Sequence, residues 1–269
     1  MTAAYTCFAI GLLVVIAGGV LVYLTTPTKA GWLQNLLGRL ARIRDVSIEQ
    51  LGRAGAAVAV LLALSAAAVI ICWPVGRFFR RFQPQIDGPI LRWTLRRVKV
   101  VGRWHHLNVV LTQMGDRRQI QFCAVVAAVI FAALWVRRGW WIPPAILVTA
   151  IVFEKFAQSA LAKVVARPPI PLPAFGTYPS GGCARLVVLW GTVMYLILLT
   201  WPAISRPWRV AGFTVVALLA FIEGYTRIYL IKHWSMDVVG GWLFGTLLLL
   251  ALIGAASCFK PRSSAAATT

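Results

Sequence analysis

At 269 residues, with 60% hydrophobic and only 13% charged composition and a mean hydropathy of +0.79, the chain is too apolar for a soluble domain and too long for a simple membrane anchor. Its formal charge of +20 could attract nucleic acid, but beside so much apolar sequence the partner it points to is anionic lipid. Five scattered cysteines form neither a disulfide framework nor a set with metal-ligand spacing, so no metal and no cofactor is expected.

Hydropathy predicts seven membrane helices, near Thr6–Leu24, Gly55–Trp73, Ile120–Val136, Trp141–Leu161, Leu186–Trp201, Val210–Tyr229 and Trp234–Ala256. Each is close to the roughly 17–25 residues a bilayer core requires. The first has no positive charge ahead of it and no small-residue cleavage site behind it, so it reads as a retained helix. The expected fold is all-α: a polytopic bundle with a six-helix core, residues 54–257, preceded by an extra helix and basic loop, residues 1–53. A disordered tail is expected at 258–269.

Between the second and third spans, residues 76–120 hold ten Lys/Arg against Asp87 and Asp116, a net +8. Within this loop Leu91, Thr94, Leu95, Val98 and Val101 fall on one helical face, with Arg92, Arg96, Lys99 and Arg103 on another. That pattern predicts an amphipathic interfacial helix binding anionic headgroups, and it equally suits a plain topology signal. His105 and His106 sit in the same loop beside Trp104, as headgroup-level residues or as side chains able to fold over a site.

The fourth span carries Glu154 and Lys155, which are expected to turn into the bundle and pair there. It ends at Lys163-Val-Val-Ala-Arg167-Pro168-Pro169. Lys163 and Arg167, one helical turn apart, make a phosphate clamp or a cationic cap on a helix C-terminus. The fifth span opens with Tyr178-Pro179-Ser180-Gly181-Gly182-Cys183, where a hydroxyl and free N–H groups could cradle an anion or form an ordinary N-cap.

Between the sixth and seventh spans comes Thr226-Arg227-Ile-Tyr-Leu-Ile-Lys-His233-Trp-Ser-Met-Asp237. An arginine that can hold phosphate oxygens, a histidine that can attack phosphorus and a carboxylate that can orient the histidine are the parts of a phosphotransfer site. If the chain is helical there, Asp237 lies one turn from His233 and can set its tautomer. Glu223, one turn before Arg227, could carry a proton or hold that arginine.

These three blocks resemble the type 2 phosphatidic acid phosphatase superfamily of integral membrane lipid phosphatases, whose signatures are Lys, six residues, Arg-Pro; Pro-Ser-Gly-His; and Ser-Arg, five residues, His, three residues, Asp. The resemblance covers roughly Leu107 to Gly254 and the second span. It implies that His233 forms a phospho-histidine and that Asp237 orients it. Arg167 and Arg227 would bind phosphoryl oxygens, with Ser180 and the Gly181 amide completing the cradle. Two positions depart from the pattern: the lysine falls on Ala160, leaving Lys163 as its substitute, and the general-acid histidine falls on Gly182.

A missing acid is tolerated best when the leaving group spreads its own charge, as in a lipid diphosphate losing its terminal phosphate. A polyprenyl diphosphate is therefore the expected substrate. The alternative is a pseudo-phosphatase that binds anionic lipid phosphate, and histidine restored at position 182 is expected to separate the two. A transporter finds no support, since no inverted repeat or pair of discontinuous helices is visible. Eleven Lys/Arg against ten on the two sides lean toward an extracytoplasmic site in the cell membrane, because short loops count more. Oligomeric state is not legible.

Overall fold

The computed structural model describes residues 2–25, 31–97, 102–168, 170 and 176–259, with side chains omitted for 2–4, 24–25 and 31–41. Among the described residues ten helices run in chain order: α1 (Thr2–Thr25), α2 (Gly31–Arg81), α3 (Gln83–Arg97), α4 (Arg103–Leu111), α5 (Arg117–Leu134), α6 (Val136–Gly139), α7 (Ile142–Val165), α8 (Gly181–Thr200), α9 (Arg206–Tyr229) and α10 (Ser235–Ser257). No strand occurs among the described residues. Seven of the helices are long and apolar enough to cross a membrane, so the chain is a multi-pass membrane protein. Val98, Lys99, Val101, Pro169 and most of the expected tail lie outside the described residues.

In lipid, helices gain little from burying apolar side chains against each other, so close backbone approach decides which pairs pack. α10 illustrates this. A side chain on Gly241 would meet the Ser180 carbonyl at 2.6 Å, and one on Gly245 would meet the Ala184 carbonyl at 2.9 Å. These two small residues, one turn apart, let α8 lie against α10 and bring residue 180 beside the start of α10. α2 packs along the other side of α10 through Ala56, Leu61, Ala68 and Cys72 against Phe244, Leu248, Ala251 and Leu252.

α1 lies antiparallel on the outer face of α9, with Gly11 against Phe221 and Gly19 against Thr214. Its Tyr5 and Phe8 join Trp104 of α4 and Tyr225 of α9 in an aromatic cluster. It is thus peripheral to the other six spans. α2 begins far ahead of the expected span, so much of the expected basic loop is helical; the helix breaks at Gly52, whose φ of 69° and ψ of 171° no helical residue adopts.

The segment 76–120 is not an open loop. α3 docks across the end of the bundle with Asp87 and Thr94 buried, and Leu95 is 53% exposed. The side turned to the bundle carries Asp87, Ile90, Leu91 and Thr94, with Asp87 held by buried partners. Glu154 is buried as expected, whereas Lys155 turns outward.

Candidate active site

Four chain reversals converge at one end of the bundle: α7 into α8, α9 into α10, and the segments holding α3 and residues 112–116. α7 stops because Ala166 takes the left-handed conformation, φ 47°, just before Arg167-Pro168. Arg167 therefore leaves the helix and turns inward, buried, while Lys163 stays on the exposed face of α7. The expected clamp of these two cations is not formed, since they do not share a helical face.

α9 ends in a Schellman turn. The N–H of Ile231 donates to Ile228 O at 3.0 Å and that of Lys232 to Arg227 O at 2.9 Å, with Ile231 left-handed at φ 57°. The turn folds His233 back beneath Arg227. His233 and Asp237 are consequently not on one continuous helix: α10 starts at Ser235, and Asp237 sits in its first turn, where its Oδ2 accepts from the Trp234 N–H at 3.3 Å. His233 Nδ1 lies 3.6 Å from Asp237 Oδ2. That is adjacent, but too long for a direct hydrogen bond, and Nδ1 is left buried without a partner.

Burial is the main influence on His233 and pushes its pKa below the ordinary value of 6.5; Arg227 and Arg185 push the same way, and Asp237 opposes them. The imidazole is therefore held neutral, the form that carries a free lone pair. A side chain on Gly176 would lie 2.0 Å from Nδ1, so the chain there passes flat against the ring. Ser180 is wholly buried, its N–H donating to Asp237 O at 2.9 Å while its hydroxyl has no partner.

Both arginines are engaged by carboxylates. Arg167 donates to Asp237 Oδ1 at 2.5 Å and pairs with Asp87 Oδ2. Arg227 donates to Glu223 Oε1 at 2.6 Å, to Asp116 Oδ1 at 2.5 Å and to the Thr112 carbonyl at 3.1 Å. Glu223 Oε2 also accepts from the Gly115 N–H at 3.1 Å, which ties the 112–116 turn to α9. Of the two roles open to Glu223, the geometry realises the one that holds Arg227.

This arrangement bears directly on Gly182. A Cβ there would stand 2.8 Å from both Arg227 Nη2 and Glu223 Oε1. A side chain at 182 therefore requires the ends of the Arg227 and Glu223 side chains to shift. His105 and His106 do not fold over the site: His105 packs on Tyr229, ring centroids 6.3 Å apart, and His106 is exposed.

Three participants escaped the sequence reading. Asp87 and Asp116 are the two acids of the +8 segment, and each pairs with one of the arginines. Their rarity in a basic segment was the available signal. The third, Arg185 on α8, donates to Gly115 O at 3.2 Å and stands 3.9 Å from buried Glu154.

No model of a known protein family matches the chain. It is 23% identical over 167 residues to the phosphatidylglycerophosphatase B of Bacillus subtilis, covering 60% of this chain and 80% of that protein. Its fold is similar to the crystal structure of a transmembrane PAP2-type phosphatidylglycerolphosphate phosphatase from Bacillus subtilis, with a TM-score of 0.60 and 18% identity over 74% of this chain and 98% of the other. The chain therefore has the fold of a transmembrane PAP2-type phosphatase.

Proposed function

We propose that this protein is a lipid phosphatase of the type 2 phosphatidic acid phosphatase superfamily, with its site on the extracytoplasmic face of the cell membrane. The observation that carries the reading is the convergence of neutral His233, Asp237, Arg167, Arg227 and the unpartnered Ser180 hydroxyl at one end of a bundle whose fold it shares with such an enzyme.

In the proposed reaction Nε2 of His233 attacks phosphorus, the bond from phosphorus to the leaving oxygen breaks, and a phospho-histidine forms. Water then attacks phosphorus, releasing phosphate and regenerating the imidazole. Asp237 would orient the imidazole by closing the 3.6 Å gap to Nδ1, and guanidinium groups that give up carboxylate partners would take the phosphoryl oxygens, whose charge must be stabilised. A lipid diphosphate is the favoured substrate, because Gly182 brings no acid. Binding without turnover, the other reading, gains some ground from the fact that both arginines are neutralised in the resting protein.

Phosphate release by purified protein in detergent, from a polyprenyl diphosphate, phosphatidylglycerophosphate and phosphatidic acid, with His233→Ala as the blank, tests the proposal. Release that survives His233→Ala would sink it. The pH profile adds a second check. Because the folded pKa of His233 is lowered by burial, the nucleophile stays uncharged as pH falls through 6.5, and the acid limb of kcat/KM should lie below that value. The same sign makes its contribution to stability fully present above pH 6.5 and lost as the medium becomes more acidic.

A further inference from the structure

The Asp87 carboxylate is held as a phosphate would be. Its Oδ2 pairs with the Arg167 guanidinium, and its Oδ1 accepts from Ser235 Oγ at 2.5 Å and from the Met236 N–H at 3.0 Å, in the first turn of α10. A guanidinium, a hydroxyl and a helix N-terminal amide converging on one anion are the donor set of an oxyanion site. The carboxylate comes from α3, which carries Arg92, Arg96 and Arg97, and not from the bundle it plugs.

The nucleophile faces the same place. His233, 9% exposed and with Nδ1 unpartnered, lines one cleft with Asp87, Ile90, Thr94, Ile231 and Ser235. That cleft has a volume of only about 10 Å³, room for at most one water and not for a phosphoryl group. Through this cleft, substrate cannot reach His233 while Asp87 and α3 stay seated.

We propose that Asp87 is an internal stand-in for the substrate phosphoryl group: it occupies the cradle of Arg167, Ser235 and the Met236 N–H, and a lipid phosphate enters by displacing it together with α3. This rests on the phosphatase reading for the identity of the anion, but not for the existence of the cradle. Ser235 thereby becomes a phosphate-contacting residue. A competing dianion is needed to dislodge a carboxylate held by three donors, which favours a terminal phosphate over a phosphodiester. The basic face of α3 then has a use: anionic headgroups can hold it once it has lifted.

The test is orthophosphate binding to the full-length protein in detergent, read as protection against thermal unfolding. Asp87→Asn removes the competing charge while keeping the shape, and it should bind orthophosphate about tenfold tighter than the unaltered protein. Equal or weaker binding overturns the stand-in, as does failure of either protein to bind. Should Asp87→Asn not fold, Leu91→Cys on the inward side of α3 decides the matter: phosphate should speed its alkylation, read by mass spectrometry of that peptide, and unchanged or slower alkylation overturns the proposal. Lipid phosphate release is measured alongside. Tighter phosphate binding without release would leave the cradle standing and remove the enzyme, whereas release with no tighter binding would do the reverse.

Discussion

Arg167 and Arg227 stand at the same end of the bundle, each between two carboxylates, yet they are built for different work. Around Arg167 everything is dry: its side chain is 1% exposed, and Asp87 and Asp237 are 0% and 1% exposed. Around Arg227 one partner, Glu223, is wholly buried, while the other, Asp116, is 40% exposed. Charge in low dielectric is costly to leave unpaired, and charge near water is cheap to exchange. The first arginine is therefore a structural keystone that also faces the site, and the second is the one with a replaceable partner. On the proposed phosphatase reading, an incoming phosphate would take the place of Asp116 at little cost, whereas gaining Arg167 would require a buried carboxylate to be displaced.

The sharpest way to break this contrast is to remove each guanidinium. Arg167→Ala leaves Asp87 and Asp237 buried without a counter-charge and should cost about 3–5 kcal/mol, seen as loss of folded, monodisperse protein in detergent. If Arg167→Ala folds as well as Arg227→Ala, the two sites are equivalent and the contrast fails. Arg227→Lys should keep the fold and lose turnover by about one to two orders of magnitude, because an ammonium cannot span Glu223 and an oxyanion as a planar fork does. Phosphate release by the folded variant is the measurement. Near-normal rates would mean that Arg227 acts as a point charge only.

The same contrast marks what the sequence could and could not disclose. Seven apolar stretches and the spacing of Arg227, His233 and Asp237 were readable, since hydropathy and short-range spacing are local properties. The role of Asp87 was not, because its partner Arg167 lies 80 residues away along the chain, and a single acid in a basic segment has no periodic signature. Lys163 was misplaced for a local reason: nothing in Val-Ala-Arg announces that Ala166 will turn left-handed and end the helix one residue before Arg167. The condition that residues 233–237 form one helix is likewise unmet, at a turn closed by an isoleucine where glycine is the usual residue.

Gly182 sharpens the Arg227 side. Because a Cβ at 182 falls 2.8 Å from Arg227 Nη2 and from Glu223 Oε1, Gly182→His must push apart an ion pair that also anchors the 112–116 turn. The expected result is a loss of about 1–3 kcal/mol in stability and slower release from every lipid, including monoesters. A faster monoesterase would show that the pair can move aside and that the missing acid alone limits the enzyme.

The smallest effect belongs to the turn that carries His233. Ile231 holds a left-handed φ of 57°, which costs an L-residue about 1–2 kcal/mol, and glycine would relieve that strain while giving up roughly 0.5–1 kcal/mol in chain entropy. Ile231→Gly should therefore stabilise the protein by no more than about 1 kcal/mol, measured by thermal denaturation in detergent. Its effect on turnover separates two uses of the side chain. Ile231 also lines the cleft that His233 shares with Asp87, so trimming it opens space next to His233. A gain in stability with unchanged KM would mean that the isoleucine serves only the turn. A lowered KM would show that it helps α3 to seal the cradle around Arg167, which places the loop from the Arg227 side in service of the drier one.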